Sequence, residues 1–468
     1  MFIINHNLKD LNDFISHPIF NFKKEIMFLA LLTFLFLLCF IMTKKTSCKV
    51  YLVDFICYKP PNSQMYSKES TIKNLRQFGY YSEETLDFMT KVLERSGLGD
   101  STYFPDTFSK QTYNPSINDT RRGVEMTIFG SVDMLLAKTG VRCKDIGILI
   151  LNCTVYNPVP SLCSIIVNRY KLRESIITYN LAGMGCSAGL RAIGLAQQLL
   201  QVHPKSYALI VTTEVINDNL YLGNDRSKLL INCVFRVGGA AILLSNHPPD
   251  GKNYKYELLH TIHTNTSRLE RSYNCVNIEE DKVGMVGMNI NRDLLAVAID
   301  TIKPNVKILS YLMLSLKEKQ KYLLNYIKRN IIRSMSTKSY IPNYKNVIDH
   351  FLPHVGGKPV LDELQKTLGF SDTVMEASRM TLYRYGNTFS SSIWYELAYV
   401  EAKGRIKKGN LVWQMAFGTG FKCSSVIWRA MKTVDHNDHY NPWTDEITEY
   451  PVVLKDCEQF PVIFTPSK

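Results

Sequence analysis

The 468-residue chain lacks closely spaced cysteine pairs. Its eleven cysteines are scattered, their number is odd, and no two of them are spaced as Cys-x-x-Cys. This usage argues against a disulfide framework and against a zinc ribbon, and it is typical of a reducing compartment.

Charged residues are also scarce, at 21% of the chain, whereas 46% of the residues are hydrophobic. Such a composition excludes a disordered chain, because the apolar fraction can bury a large core. The net charge of +13 is accompanied by no helix-turn-helix pattern and no module of interleaved aromatic and basic residues. Nucleic-acid binding is therefore not expected.

One apolar run is long. Ile26 to Met42 is 17 uncharged residues with lysine pairs on both sides. At about 1.5 Å per residue a helix of this length spans about 26 Å, close to the core of a thin bilayer. Signal-peptide cores run to only ~7–15 residues, and no small-x-small cleavage site follows. The run predicts a transmembrane helix over residues 26–42, and the cysteine usage favours a body on the cytosolic face of an internal membrane.

A second unusual stretch runs from Lys303 to Lys345 and has ten basic residues against Glu318 alone, interleaved with Leu, Ile and Tyr. This pattern is typical of a basic amphipathic helix that lies on anionic lipid. An ordinary surface helix over the core explains it equally well.

The rest of the chain alternates between short β-rich apolar runs and helical patterns, which predicts an α/β fold with covered sheets. Predicted strands are Val50–Phe55, Ile146–Asn152, Ala208–Thr213, Ala240–Ser245 and Leu411–Ala416. Predicted helices are Ser82–Arg95, Gly123–Lys138, Ala188–Val202, Leu294–Ile302, Val360–Leu368 and Ser391–Lys403.

A glycine-rich elbow separates one extended segment from the helix at Ala188–Val202. Gly183 and Gly185 allow a sharp turn directly before Cys186, which places this cysteine at a helix N-terminus. Unpaired amides and the helix dipole lower a thiol pKa there, so Cys186 is a candidate acyl acceptor. A buried structural cysteine in a turn is the other interpretation.

Two hydrogen-bond donors precede predicted helices in the C-terminal third. His354 and Asn387 both lie in glycine-flanked turns, where a neutral imidazole and a carboxamide can stabilise an enolate or an oxyanion. With Cys186 they also fit a papain-type hydrolase, although the papain signature is missing. No metal is expected: His350 and His354 are spaced for a helical ligand pair, but Pro353 breaks that helix.

Many ordered blocks between Val50 and Val453 carry a family resemblance. They are Val50–Pro60, Ser96–Tyr103, Asp145–Leu149, Asn157-Pro158, Pro160–Leu162, Asn180–Gly189, Gly223–Ser227, Phe235-Arg236, Gly238–Asn246, Gly386–Thr388, Trp394–Tyr399, Gly418–Cys423 and Trp428-Arg429. With these blocks the sequence resembles plant-type 3-ketoacyl-CoA synthases, the membrane-bound condensing enzymes of very-long-chain fatty acid elongation.

The resemblance implies a thiolase-like α/β fold of duplicated αβαβα halves in five layers, paired as a homodimer, with an N-terminal transmembrane helix. It implies that Cys186 accepts an acyl group from acyl-CoA, and that His354 and Asn387 hold the malonyl-CoA carbonyl as CO2 leaves. His354 is also expected to support the thiolate electrostatically. No cofactor is implied. Expected partners are membrane lipid and the reductase, dehydratase and enoyl reductase of an elongase, at the cytosolic face of the endoplasmic reticulum.

His350, Gly418 and Gly420 are possible supporting residues. Two residues depart from the family pattern: Tyr383 stands where a histidine is usual, and Pro353 precedes His354 where an aliphatic residue is common.

The expected organisation is a polar segment (1–25), the transmembrane helix (26–42), an N-terminal half with the cysteine (49–340), including the basic stretch 303–340, a C-terminal half (341–453) and a tail (454–468). A polyketide-type condensing enzyme and a non-catalytic elongase subunit are the alternative functions.

Overall fold

The computed structural model describes residues 26–35, 48–214, 216, 220–249, 253–330 and 344–454. The chain divides into two compact units, Met1–Cys48 and Lys49–Lys468. In the first, residues 26–35 are helical; none of the helices in the described ranges is both long and apolar enough to cross a bilayer. The predicted transmembrane helix extends beyond the described residues, so it stays a prediction, as does the division at residue 340. Residues 1–25 and nearly all of the predicted tail lie outside the described ranges.

Nine strands of the described part form one mixed sheet in the order β11-β12-β13-β8-β1-β7-β6-β4-β5. These are β1 Tyr51–Cys57, β4 Ile146–Asn152, β5 Ile177–Leu181, β6 Tyr207–Thr213, β7 Gly239–Ser245, β8 Tyr256–Asn265, β11 His350–Pro353, β12 Leu411–Gly418 and β13 Lys422–Ala430. Two small sheets pair β2 Met65–Tyr66 with β3 Thr102–Tyr103, and β9 Val276–Glu280 with β10 Val286–Ile290.

The helices of the second unit lie between and outside these strands. They are α1 Lys68–Gln77, α2 Glu83–Arg95, α3 Ile117–Thr139, α4 Leu162–Tyr170, α5 Ala188–Val202, α6 Leu230–Val234, α7 Glu270–Tyr273, α8 Leu294–Met313, α9 Leu316–Asn330, α10 Lys358–Leu368, α11 Asp372–Tyr385 and α12 Ser392–Ala402.

Strand burial explains the sheet. Every residue of β4 is buried, and β4 pairs in parallel with both β5 and β6, as a strand covered on both faces should. Helix α5 contacts strands near both ends of the sheet, including β4, β6, β8 and β13. Helix α3 packs on β1 and β7, and α8 packs on β8 and β13. The apolar sequence runs are therefore covered on both sides.

The predicted α/β alternation is confirmed, and β4 and α5 have the predicted bounds. Two helix bounds were wrong. Helix α3 begins at Ile117, because Ser116 and Asp119 form a capping box. Helix α8 continues through Pro304 to Met313, since buried Asn305 donates to the carbonyl groups of Ile262 and Cys423, each at 3.2 Å, and holds the next turn on the sheet.

The basic stretch is also not one helix. Leu314 has an extended backbone (ψ 145°) and separates α8 from α9. Residues 331–343 lie outside the described ranges.

Candidate active site

Cys186 lies at the junction of the elbow and helix α5. It is the middle residue of a 3-10 turn, Gly185–Ser187, that leads into the helix. Gly185 has φ +58°, and a Cβ there would lie 2.8 Å from the backbone nitrogen of Thr419. Only glycine fits both the left-handed conformation and this close approach.

Gly418, at the end of β12, closes on the elbow from the other side. A Cβ at Gly418 would lie 2.6 Å from the Met184 carbonyl oxygen and 2.8 Å from the Cys186 nitrogen. The absence of two side chains therefore lets the backbone of β12 touch the backbone of the elbow. Gly418 thus lies beside Cys186, where a side chain would clash with the elbow; its supporting role stays a prediction.

His354 directly follows β11, and its backbone N–H donates to the Met415 carbonyl of β12 at 2.8 Å. The preceding Pro353 has no N–H to donate, but the sheet loses no hydrogen bond, because β11 is an edge strand and the nitrogen of Pro353 alternates away from β12. The departure at Pro353 is therefore compatible with the strand that positions His354.

Asn387 follows helix α11, whose C-terminal residue is followed by Gly386 at φ +68°. The Asn387 side chain is buried, and its Oδ1 accepts from the Phe389 N–H at 2.9 Å. This bond orients the amide so that its Nδ2 donor remains for the cavity. Phe389 itself has φ +55°, a strained conformation for an aromatic residue.

These three side chains line one cavity of about 120 Å³. Apolar side chains form most of the remaining wall, among them Leu230, Val234, Phe235, Met288, Ile290, Leu294, Val360, Phe389, Phe417 and Phe421. The structure thus brings together Cys186, His354 and Asn387, as the sequence predicted, and Gly418, one of the predicted supporting residues, lines the same cavity. It leaves His350 out: His350 lies at the start of β11, about 10 Å of strand from the end, and is not part of the cavity lining.

An outer cavity of about 360 Å³ adjoins the first one and shares Thr154 and Thr419 with it. Gly420 lines only this outer cavity, together with polar Ser267, Asn277 and Lys422. Gly420 therefore lies at the outer cavity and not in the lining beside Cys186, and its supporting role stays a prediction.

The electrostatics correct two expectations, the first of which concerns Cys186. Burial, and secondarily the charge of Glu214, raise the pKa of the Cys186 thiol, whereas the helix N-terminus was expected to lower it. The short 3-10 turn before α5 does not offset the lost hydration. The raised pKa favours the thiol over the thiolate as the resting form.

His354 is neutral for the same reason. Burial lowers the pKa of His354 to about 3, so it lends no positive charge to a thiolate, contrary to expectation. Its buried Nδ1 has no hydrogen-bond partner among the described residues. Because an orphaned N–H costs more than an orphaned lone pair, the proton belongs on Nε2, which makes His354 a neutral donor.

Glu214 lies outside the cavity lining but influences Cys186 electrostatically, and sequence reasoning missed it. Its carboxylate accepts from the Cys153 thiol at 3.1 Å and from the next two backbone N–H groups at 2.6 and 3.2 Å. Burial raises the pKa of Glu214. The loop it holds includes Thr154 of the cavity wall. The sequence signal that could have identified Glu214 is a lone acidic residue directly after a buried apolar strand.

Comparison with known proteins identifies the family. The model of the FAE1/Type III polyketide synthase-like protein family matches residues 41–331, and that of the 3-Oxoacyl-[acyl-carrier-protein (ACP)] synthase III C terminal matches residues 343–430. The Arabidopsis thaliana protein 3-ketoacyl-CoA synthase 2 is 47% identical over 453 residues, which cover 95% of this chain and 85% of that protein. The chain belongs to the 3-ketoacyl-CoA synthase family.

Further relatives of this synthase agree. The Arabidopsis thaliana 3-ketoacyl-CoA synthase 11 is 47% identical over 96% of the synthase and 88% of that protein. The Oryza sativa subsp. japonica protein named probable 3-ketoacyl-CoA synthase 20 is 47% identical over 86% of the synthase and 78% of that protein.

Solved structures show the fold. The C-terminal type III polyketide synthase domain of Steely1 from Dictyostelium has a TM-score of 0.64 at 17% identity, covering 82% of the synthase and 99% of that chain. CsyB complexed with CoA-SH has a TM-score of 0.64 at 18% identity, covering 81% of the synthase and all of that chain. The synthase therefore has the mixed α/β, thiolase-like fold of type III polyketide synthases.

Proposed function

We propose that this synthase joins malonyl-CoA to a long-chain or very-long-chain acyl-CoA by decarboxylative Claisen condensation. The product is a 3-ketoacyl-CoA two carbons longer, as in the first step of very-long-chain fatty acid elongation. The observation that carries the proposal is the single apolar cavity in which a thiol, a neutral imidazole and a carboxamide meet. The kinship with named 3-ketoacyl-CoA synthases supports the same chemistry.

The first half-reaction loads the enzyme. The Cys186 sulfur attacks the acyl-CoA carbonyl, the bond from that carbon to the CoA sulfur breaks, and the thiol proton ends on the departing CoA. Since the charge does not change overall, the apolar wall of the cavity does not oppose this exchange. His354 serves here as a hydrogen-bonding partner and not as a cation.

The second half-reaction forms the carbon–carbon bond. Malonyl-CoA loses CO2, and the electron pair of the broken bond becomes an enolate on the thioester oxygen. The N–H groups of His354 and Asn387 stabilise this oxygen. The carbanion carbon attacks the Cys186 thioester, and the Cys186 sulfur leaves as a thiolate, which takes up a proton from water and so restores the resting thiol.

The two cavities divide the substrate. We assign the acyl chain to the apolar inner cavity, and the CoA arm to the outer cavity with Lys422. The inner volume of about 120 Å³ is smaller than the ~150 Å³ of a cavity known to hold benzene. A long chain therefore requires its wall to open. The partly exposed β9–β10 hairpin contributes the half-buried Val276, Met288 and Ile290 to that wall, and its displacement would make the room.

The fold proposal has two further parts. We assign the sheet to two similar halves that share the inner helices α5 and α12, which gives the five-layer αβαβα arrangement. Strand β5 supports a homodimer, because it is an edge strand with an exposed centre, Thr178–Asn180, and an open edge can pair with a second copy.

The location is the endoplasmic reticulum membrane, with the body of the synthase on the cytosolic side and the segment 26–42 in the bilayer. The apolar run, its lysine flanks and the scattered, odd-numbered cysteines of the sequence support this. The reductase, dehydratase and enoyl reductase that process a 3-ketoacyl-CoA are the partners expected there.

The test uses the full chain in membranes with labelled malonyl-CoA and a series of acyl-CoA substrates. Cys186→Ala should abolish formation of the 3-ketoacyl-CoA and of the acyl-enzyme. Cys143→Ala, at a partly exposed cysteine outside the cavity lining, should leave both unchanged. Full activity of Cys186→Ala would overturn the assignment of the nucleophile. Pyrone products would favour the polyketide-type alternative, and a wild-type chain that is never acylated would favour the non-catalytic subunit.

A further inference from the structure

Helices α8 and α9 share a surface that the catalytic proposal does not use, which we term the α8–α9 face. Eight large apolar side chains on it are between 42% and 77% exposed. They are Ile308, Tyr311, Leu312, Leu316, Tyr322, Leu323, Leu324 and Tyr326. Soluble proteins rarely expose such a set together, and patches of this kind mark sites of protein or membrane contact.

The charge on this face has one sign. Residues 303–330 contain seven basic residues, and Glu318 is their one acidic residue. Glu318 is buried and bonded to Lys321 at 2.9 Å. Lys303 pairs with Asp300 at 2.8 Å, so the excess positive charge belongs mainly to Lys307, Lys317, Lys319 and Lys328. A cationic face with exposed Leu and Tyr complements an anionic lipid surface, which offers both phosphate and hydrocarbon.

A groove opens within the face, and Tyr311, Tyr322 and Leu323 of the face are among its lining residues. Its volume is about 900 Å³, and its walls are mainly apolar, including Ile302, Val306, Leu314 and Leu368. Lys307 and Lys319 are among its lining residues. A lipid whose phosphate meets these lysines can place its acyl chain along the apolar walls, so the groove suits an amphiphile better than it suits a soluble anion.

We propose that the α8–α9 face is a second membrane contact, which lies on anionic phospholipid and takes a lipid chain into the groove. The inference rests on the membrane location proposed above but not on the condensation reaction. An inactive variant should therefore make the same contact.

A tryptophan reporter tests it. The four native tryptophans are fully buried, so a new exposed tryptophan dominates the lipid-dependent signal. Full-length Leu323→Trp is placed in nanodiscs of phosphatidylcholine with or without phosphatidylserine, and quenching by brominated phospholipid is recorded. Val202→Trp, at an exposed site at the end of α5 (65% exposed), is the matched control.

The proposal expects a blue shift and strong quenching for Leu323→Trp in anionic discs, weaker quenching in neutral discs, and none for Val202→Trp. Removing Lys307, Lys317 and Lys328 as a triple Gln variant should lower the docked-to-undocked ratio about fivefold per lysine. The control variant replaces Lys73, Lys91 and Lys144, which are all exposed, by Gln. It changes the net charge by the same amount and should not lower the docked-to-undocked ratio.

Three results would overturn the proposal. The first is an unquenched Leu323→Trp in anionic discs. The second is equal quenching with and without phosphatidylserine. The third is a blue shift already present in lipid-free detergent, which would assign the face to a second copy of the chain or to another protein. Because the measurement is repeated with Cys186→Ala, loss of condensation activity is separated from loss of lipid contact.

Discussion

The catalytic cavity and the α8–α9 face place polar and apolar side chains in opposite ways. In the cavity, polar His354 and Asn387 are buried among apolar side chains. On the face, leucines and tyrosines are exposed among lysines. Burial makes each hydrogen bond strong and orientation-dependent, which suits one transition state. An exposed surface of lysines and apolar side chains discriminates between partners only by the sign of their charge and by their hydrocarbon content, which suits contact with a bilayer.

The largest effect is expected from replacing Asn387, which tests whether condensation depends on this one hydrogen-bond donor. Asn387→Asp keeps the Oδ1 acceptor that holds Phe389 but removes the Nδ2 donor. We expect kcat for condensation to fall about 100- to 1000-fold with near-normal acylation of Cys186. Single-turnover acylation and steady-state product formation separate the two steps. Retained condensation would remove Asn387 from enolate stabilisation.

The backbone contact behind Cys186 gives the next effect. Gly418→Ala places a methyl group against Met184 and Cys186, which should cost about 1–3 kcal/mol of unfolding free energy and most of the activity. Gly409→Ala is the control: Gly409 has φ +92° but open space around it, so it should lose stability without loss of specific activity. Equal activity losses in both variants would refute a special contact at Gly418.

Glu214→Gln tests the charge next to the thiol. The charge of Glu214 contributes to the raised pKa of Cys186, so its removal should shift the pH profile of Cys186 alkylation to lower pH. Glu214→Ala should instead destabilise the fold, because it leaves the N–H of Thr154 without its acceptor. Iodoacetamide rates against pH, with Cys186→Ala as blank, measure the shift. An unchanged profile in Glu214→Gln would contradict the electrostatic coupling.

Stability should depend on pH through His354. Its folded pKa of about 3 lies below the ~6.5 of an unfolded histidine. The contribution is therefore complete above pH ~6.5, and it is lost as the pH falls toward the folded pKa, by about 1.4 kcal/mol per pH unit. His354→Gln should flatten the curve of unfolding free energy between pH 7 and 5. His263, with a pKa lowered to about 4 by burial, should supply part of the remaining slope.

The smallest effect is expected at Tyr383, which marks the limit of the cavity. Its ring packs beside Gly99 and against Tyr450, at 6.5 Å between ring centroids, and it is not part of the cavity lining. Tyr383→His should change kcat less than about twofold, within the usual range for sites away from the chemistry. A large change in acyl-chain preference would extend the functional site beyond the cavity.

The sequence predicted much of this correctly where local signals dominate. Apolar patterning defines the bounds of β4, and glycines mark the elbow before α5. Both elements were predicted with the bounds that the structure shows. The C-terminal end of α8 was not, because Pro304 is a local stop signal that tertiary hydrogen bonds of Asn305 override.

Chemistry-bearing residue types, their order and the family resemblance are properties of the sequence alone, and they named Cys186, His354 and Asn387. Only the tertiary structure decided that a buried Glu214 stands near the thiol, that Gly418 touches the elbow, and that Cys186 and His354 are uncharged at rest. The physical reason is that a side chain loses its hydration only when several elements pack around it together. A pKa depends on every element packed around a group, and distant parts of the chain contribute those elements only after folding.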